Sequence, residues 1–223
     1  MEKLERRYES VRDYTALFRK RERKDGDLGP EDTILLKFQK PFKVYMRWLS
    51  GSRQGRELLY VQGANDNRVF VFEPAHLLAR YFTVLLDPGG WRILQESRYP
   101  VTEIGIGRLL ERVAREARRA RGKRELHVEE RRVRIQGGEV LQVEGILPQD
   151  PKAGYSYHRV VITLDETNGL SVKISVYDWD NLLIGDYNYE NVRLNPGLTE
   201  MDFDPSNPAY NFPRWRISLV GDQ

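Results

Sequence analysis

Hydrophobic and polar positions alternate along most of this chain, and a helical period replaces the alternation in two places. Leu4, Tyr8 and Val11 recur at i, i+4 and i+7 among charged residues, which predicts a short amphipathic helix at the start. The period then drops to two. Tyr14, Ala16 and Phe18 share one side, and the charged, glycine-containing run RKRERKDGDLGPED is expected to end that strand. TILLKFQ and FKVYMRW follow, punctuated by Pro41. In the second of them Phe42, Val44, Met46 and Trp48 share one face while Lys43, Tyr45 and Arg47 share the other. ELLYVQ and RVFVFE are joined through GANDN, a turn of residues that tolerate positive φ. Residues 74–91 are less periodic; AHLLARYF and DPGG suggest a short helix and a loop rather than another full strand.

A helical period returns from Gly107 to Arg121. Leu109, Leu110, Val113, Ala117 and Ala120 form one face, Arg108, Arg112, Arg115 and Arg119 the opposite one, and Gly122 is expected to end the helix. Period two resumes in ELHVEERRVRIQ, EVLQVEGIL, YHRVVITLD, GLSVKISVYD and LLIGDYNYENVRL, separated by turn-forming segments such as PQDPKAG, ETNG and DWDN. Leu170, Val172, Ile174 and Val176 alternate with Ser171, Lys173, Ser175 and Tyr177, so one face is expected to be buried and the other wet. The chain closes on MDFDPSNPAYNFPRWRISLV, prolines first and a last strand after them. The fold class is therefore mainly β (α+β): about ten hairpin-connected strands in a large antiparallel sheet, with helices packed on one side, as one domain over residues 1–223.

Composition narrows the function. No apolar run approaches the ~18 residues that a membrane-spanning helix needs. The 223 residues include no cysteine, which removes disulfides, thiolate zinc sites and cysteine nucleophiles, and the three histidines argue against most metal chemistry. The first residues show no basic start followed by an apolar stretch, so either the protein is cytosolic or a signal has been trimmed. Residues 108–124 hold eight basic residues against Glu111 and Glu116, a local +6 within a chain whose total is +3. A nucleic-acid domain would spread a basic stripe with interleaved aromatics, so no nucleic-acid partner is expected.

Sequence signatures for chemistry are wanting. Asp178 and Asp180 have the one-and-three spacing of a calcium loop, but Leu183 stands where the loop requires glycine and Tyr189 where it requires glutamate. Asp178, Asp180 and Asn181 therefore read as a turn and Tyr187 and Tyr189 as one face of the next strand; DFDPSN fails similarly, with Asn207 in the glycine position. No nucleophile elbow, phosphate loop or paired-histidine zinc motif occurs, and GIG at 105–107 lacks a third glycine. His76, His127 and His158 are scattered; His158 shares a face with Val160, Ile162 and Leu164, which suits a satisfied, partly buried histidine. No metal, cofactor or catalytic residue is predicted.

VRDYTALFRKRE after an amphipathic helix, FQKPFKVYMRW, the glycine-bearing hairpin YVQGANDNRVFVFEP, a central helix and a closing YNYENVRLNPGLTEMDFDP follow in an order similar to that of LolA-like proteins. The chain most resembles the bacterial branch of that superfamily grouped as domain of unknown function 1571. The resemblance implies a curved, open antiparallel half-barrel with helices lying across its concave side as a lid over a hydrophobic cavity. It also implies a place in the periplasm or on the envelope membranes, and lipid or lipoprotein acyl chains as partners. Carried onto this sequence, Phe42, Val44, Met46 and Trp48 would line the cavity beside Phe18, Phe38, Val69 and Val71, with Leu109, Leu110 and Val113 closing it from the lid. A basic residue before the proline of the second motif contacts the lid in LolA. Here it is Lys40, which keeps the charge but loses arginine's planar fork.

Two readings stay open. In the first, the aromatic and methionine-bearing face forms a pliable surface for acyl chains in a non-enzymatic lipid- or lipoprotein-binding protein of the envelope. In the second, the same face is plain core, and the helix bearing Arg108, Arg112, Arg115 and Arg119 docks an acidic partner or an anionic membrane surface peripherally.

Overall fold

A computed structural model describes residues 2–74, 82–135, 138–164, 172–212 and 217–219. In chain order it contains α1 (Glu2–Glu9), β1 (Asp13–Lys24), β2 (Asp27–Leu28), β3 (Asp32–Gln39), β4 (Lys43–Ser50), β5 (Glu57–Val61), β6 (Val69–Glu73), β7 (Phe82–Leu86), α2 (Trp91–Leu94) and α3 (Ile106–Lys123). There follow β8 (His127–Ile135), β9 (Gly138–Ile146), β10 (Arg159–Leu164), β11 (Val172–Tyr177), β12 (Leu183–Leu194) and β13 (Ile217–Leu219). The sheet is open and mainly antiparallel, with thirteen strands described where about ten were expected. The extra strands include the short β2 and β7. The latter pairs antiparallel with β6 inside the stretch expected to be helix and loop, where α2 supplies a single helical turn. Most of AHLLARYF, together with His76, Leu170, Ser171 and the ETNG turn, lies outside the described residues.

The chain divides into two compact units. The first comprises Met1–Ser10, Arg19–Glu31 and Gly105–Val192; the second comprises Val11–Phe18, Asp32–Ile104 and Arg193–Gln223.

In the second unit the strand order is β13-β7-β6-β5-β4-β3, with residues 13–18 of β1 beyond β3; from β3 to β7 neighbours pair antiparallel, and β13 pairs parallel with β7. Register puts Trp48 beside Ile34, Met46 beside Leu36 and Leu58, Val44 beside Phe38 and Tyr60, and Val71 beside Leu58 and Val84. One continuous apolar face results, as the alternation predicted. The opposite face is not wet. Tyr45 is 1% exposed, because residues 199–212 run across that side: Tyr210 stacks on Tyr45 at 3.9 Å, and Phe203 and Phe212 join Leu59, Phe70 and Phe72. Polar bonds hold this strap. Glu57, fully buried, accepts from the Asn211 backbone N–H at 3.0 Å and from its Nδ2 at 2.6 Å, and Lys37 Nζ donates to Asp202 at 2.7 Å.

In the first unit the order is β12-β11-β10-β9-β8, with residues 19–24 of β1 beyond β12. The charged run expected to end β1 instead extends it. Arg19 reaches Glu190 and Glu31, Arg23 donates to Leu183 O, and Tyr187 donates to the buried Glu22 at 2.8 Å, so each long polar side chain finds a partner across the strands. Gly122 does not end α3. The helix runs one residue further and stops at Arg124, which takes the left-handed conformation at φ 60°. Asp178 forms the predicted turn, its Oδ1 accepting from the N–H groups of Asp180 and Leu182.

Candidate ligand cavity

The amphipathic pattern of α3 lays Ile106, Leu109, Leu110, Val113, Ala114 and Ala120 into the protein. Helix α1 packs beside it at a point only glycine permits: a Cβ on Gly107 would overlap the ring of Tyr8. Burial pushes the Tyr8 phenol up to about 12, against the opposing pull of the Gly107 backbone and Arg108. Glu5 and Arg118 pair at 3.1 Å along the same seam. Further down the unit Tyr189 is also raised by burial, opposed by its bond to the Gly105 backbone and by Arg112.

Between these two helices and strands β8, β9 and β10 lies a cavity of about 440 Å³. Its roof is Val113, Ala114 and Ala117, with Arg118 and Arg121 from α3 and Glu5 and Arg6 from α1; its floor is Leu126, Val128, Val143, Gly145, Leu147, Tyr157, Val160 and Ile162, with Glu130 at the rim. Ala114 and Ala117 leave the roof shallow, and on the floor the bare backbone of Gly145 makes room for its cross-strand neighbour Val160, whose Cγ1 a Cβ there would meet at 3.2 Å. The lining is apolar inside and charged at the mouth, the usual layout of a small-molecule site.

A second cavity of about 290 Å³ lies within the second unit, between α2 and Leu58, Val71, Val84 and Leu86 of the apolar face. Three of the charges that line it are spent on one another: Arg56 bridges Glu73 and Glu96, and Arg53 adds a second bond to Glu96 at 2.6 Å. Burial would raise the Glu96 carboxyl, but the two arginines outweigh it and hold it below the ordinary range.

The residues predicted to line a cavity are distributed over both units. Phe18, Phe38, Phe42, Val44, Met46, Trp48, Val69 and Val71 are all buried in the second unit, and Val71 borders its cavity. Leu109, Leu110 and Val113 are buried in the first, and Val113 borders the larger cavity. Lys40 follows β3, its backbone N–H donating to Arg12 O at 2.8 Å. The arginine stripe is partly engaged within the first unit. Arg108 pairs with Glu111 at 3.1 Å, and Arg119 donates to Gly154 O at 2.6 Å and lies over the Tyr155 ring; Arg115 is exposed, and Arg112 is half-buried near Tyr189. His158 is half-buried as expected but not satisfied as expected: its buried Nδ1 has no hydrogen-bond partner among the described residues.

Sequence reasoning missed most of the larger cavity's lining. The available signal was size rather than hydrophobicity: Ala114 and Ala117 on the helix and Gly145 within a strand are small at positions where a packed core would hold aliphatics.

The family model described as "Protein of unknown function (DUF1571)" matches residues 11–212. No curated protein matches the chain. Among solved structures, an uncharacterized conserved protein from Thermus thermophilus is similar at TM-score 0.52 and 8% identity, over 98% of both chains. A putative outer membrane lipoprotein-sorting protein domain from Vibrio parahaemolyticus aligns at TM-score 0.43 and 15% identity, over 91% of this chain and 94% of that one. A LolA superfamily protein from Nitrosomonas europaea aligns at 0.39 and 11%, over 91% and 96%.

Proposed function

The chain belongs to the family whose model spans residues 11–212, and on that premise we propose that it is a non-enzymatic lipid- or lipoprotein-binding protein of the bacterial cell envelope. It takes up acyl chains in the cavity between α1, α3 and strands β8 to β10, with the helices as a lid, in the manner of a LolA-like half-barrel. One observation carries the reading: a cavity of about 440 Å³ with an apolar interior and a charged mouth, under the small residues Ala114 and Ala117 of α3. Burying acyl methylenes there contributes about 0.8 kcal/mol each, so the interior needs no directed polar contact to hold a chain. In this reading Val113 is lid lining, Leu109 and Leu110 anchor the lid helix, and the face of Phe42, Val44, Met46 and Trp48 is the apolar wall of the second unit.

Native mass spectrometry tests it, on protein purified from a bacterial lysate containing membranes and on an Ala117→Trp variant whose indole fills the roof. A stoichiometric lipid on the wild type, lost in the folded variant, is the expected result. A clean apo mass, repeated after incubation with phospholipid and with a lipopeptide, refutes it.

A further inference from the structure

The size of the cavity and the charges at its mouth specify the ligand more narrowly than an acyl chain. We infer that the cavity of the first unit holds one molecule of a long-chain fatty acid, its single chain under α3 and its carboxylate at Arg6 and Arg121. The inference rests on the acyl-binding reading above and deepens it.

Volume comes first. At about 30 Å³ per non-hydrogen group, the share of liquid volume that a water molecule occupies, the cavity's 440 Å³ takes roughly 15 such groups. That is one chain of about twelve to fourteen carbons with its head. Two chains would need twice that space. One chain therefore matches the space under α3, and the second chain of a diacyl lipid would lie outside it.

Charge comes second. Five ionisable side chains border the cavity: Arg6, Arg118, Arg121, Glu5 and Glu130. Arg118 and Glu5 neutralise each other at 3.1 Å. Arg6 and Arg121 are exposed, and neither is ion-paired with a described residue; Glu130 offsets one of them. The mouth is left with one net positive charge, which complements a monoanion. A carboxylate presents two oxygens in a plane, the shape that an arginine fork accepts in a paired contact. A neutral head would leave that charge uncompensated, and a bulky glycerophosphate head would add volume that the mouth does not need.

Arg6 and Arg121 stand outside the local pairing that takes up Arg108, Arg118 and Arg119. Their long apolar stems can extend the cavity wall while their heads remain in water to meet the ligand.

The experiment is calorimetric titration of the intact chain with laurate, 1-dodecanol, a lauroyl lysophosphatidylglycerol and a short diacyl phosphatidylglycerol. It is run on the wild type and on the Arg6→Gln/Arg121→Gln double variant, whose changes are on the surface and whose fold is checked by circular dichroism. Laurate is expected to bind with one-to-one stoichiometry and roughly tenfold more tightly than dodecanol, about what two exposed charge contacts supply. The double variant should bind the two about equally. Equal binding of laurate and dodecanol by the wild type overturns the anionic head but leaves the acyl-binding reading standing. A laurate preference that persists in the double variant overturns the assignment to Arg6 and Arg121. Tighter binding of the lysolipid overturns the carboxylate, and equally tight binding of the diacyl lipid overturns the single chain. No binding of any of the four removes this inference, and if a lipopeptide added as a fifth titrant fails as well, the proposed function falls with it.

Discussion

Replacing Gly107 by alanine should reverse the sign of its effect according to what stands at position 8. Gly107 is the second residue of α3, and a Cβ there would overlap the Tyr8 ring and lie 2.8 Å from its hydroxyl oxygen, closer than non-bonded carbon and oxygen come. Helix α1 has eight residues, below the ~12–15 at which an isolated helix is even marginal, so it forms only while docked. A further tie, Glu5 to Arg118, is exposed and contributes at most about 1 kcal/mol. Gly107→Ala must therefore strain the contact or displace the helix. Overpacking costs about 1–3 kcal/mol, which for a chain of this size lowers the melting temperature by roughly 2–4 °C per kcal/mol. In a Tyr8→Ala background the clash is gone, and the better helix propensity of alanine should leave Gly107→Ala stabilising by about 0.5–1 kcal/mol. The expected coupling is therefore about 1.5–4 kcal/mol, measured by urea unfolding of the four proteins in the cycle. Equal destabilisation by Gly107→Ala in both backgrounds would refute the packing of α1 on α3. Alkaline titration checks the same contact. Tyr8 ionises at 10.0 when unperturbed and at about 12 when buried, so its contribution to stability is present below pH 10 and lost as the pH rises towards 12. Tyr8→Phe should flatten that part of the curve.

Three further outcomes follow from the second unit. Glu57→Ala leaves Asn211 without two bonds to a buried carboxylate and should cost about 1.5–3 kcal/mol, with hydrogen exchange rising first in residues 199–212; unchanged protection there would show that the strap is held otherwise. Met46→Asp puts an unpaired carboxyl at a site 3% exposed, so urea unfolding should show the whole second unit weakened by several kcal/mol; a stable variant would contradict the burial. Asp202 would be raised by burial alone, but its bonds to Lys37 and Thr199 hold its carboxyl below the ordinary value of 3.8. Its contribution is therefore present above pH 3.8 and lost as the pH falls through the lower folded-state value, and Asp202→Asn should remove that acid-side slope.

What the sequence determined by itself was local. The period of α3 needs only its own residues to declare which side is apolar, and the structure buries Leu109, Leu110 and Val113 accordingly. The turns at Asn65–Asn67 and at Asp178 were equally legible, because asparagine and aspartate supply positive φ and self-bonding side chains wherever they stand. The alternation in β4 likewise identified the face of Val44, Met46 and Trp48. Tertiary structure decided the rest, because the deciding atoms come from elsewhere in the chain. Residues 19–24 look like a charged loop, yet they continue β1 because Glu190, Leu183 O and Tyr187 accept or donate across the strands. Tyr45 alternates with the buried face and should be wet, but a strap more than 150 residues later covers it. The cavity is the clearest case. Ala114 and Ala117 are ordinary in their own helix, and only folding sets them over the floor of β8, β9 and β10, where their missing side-chain volume becomes open space.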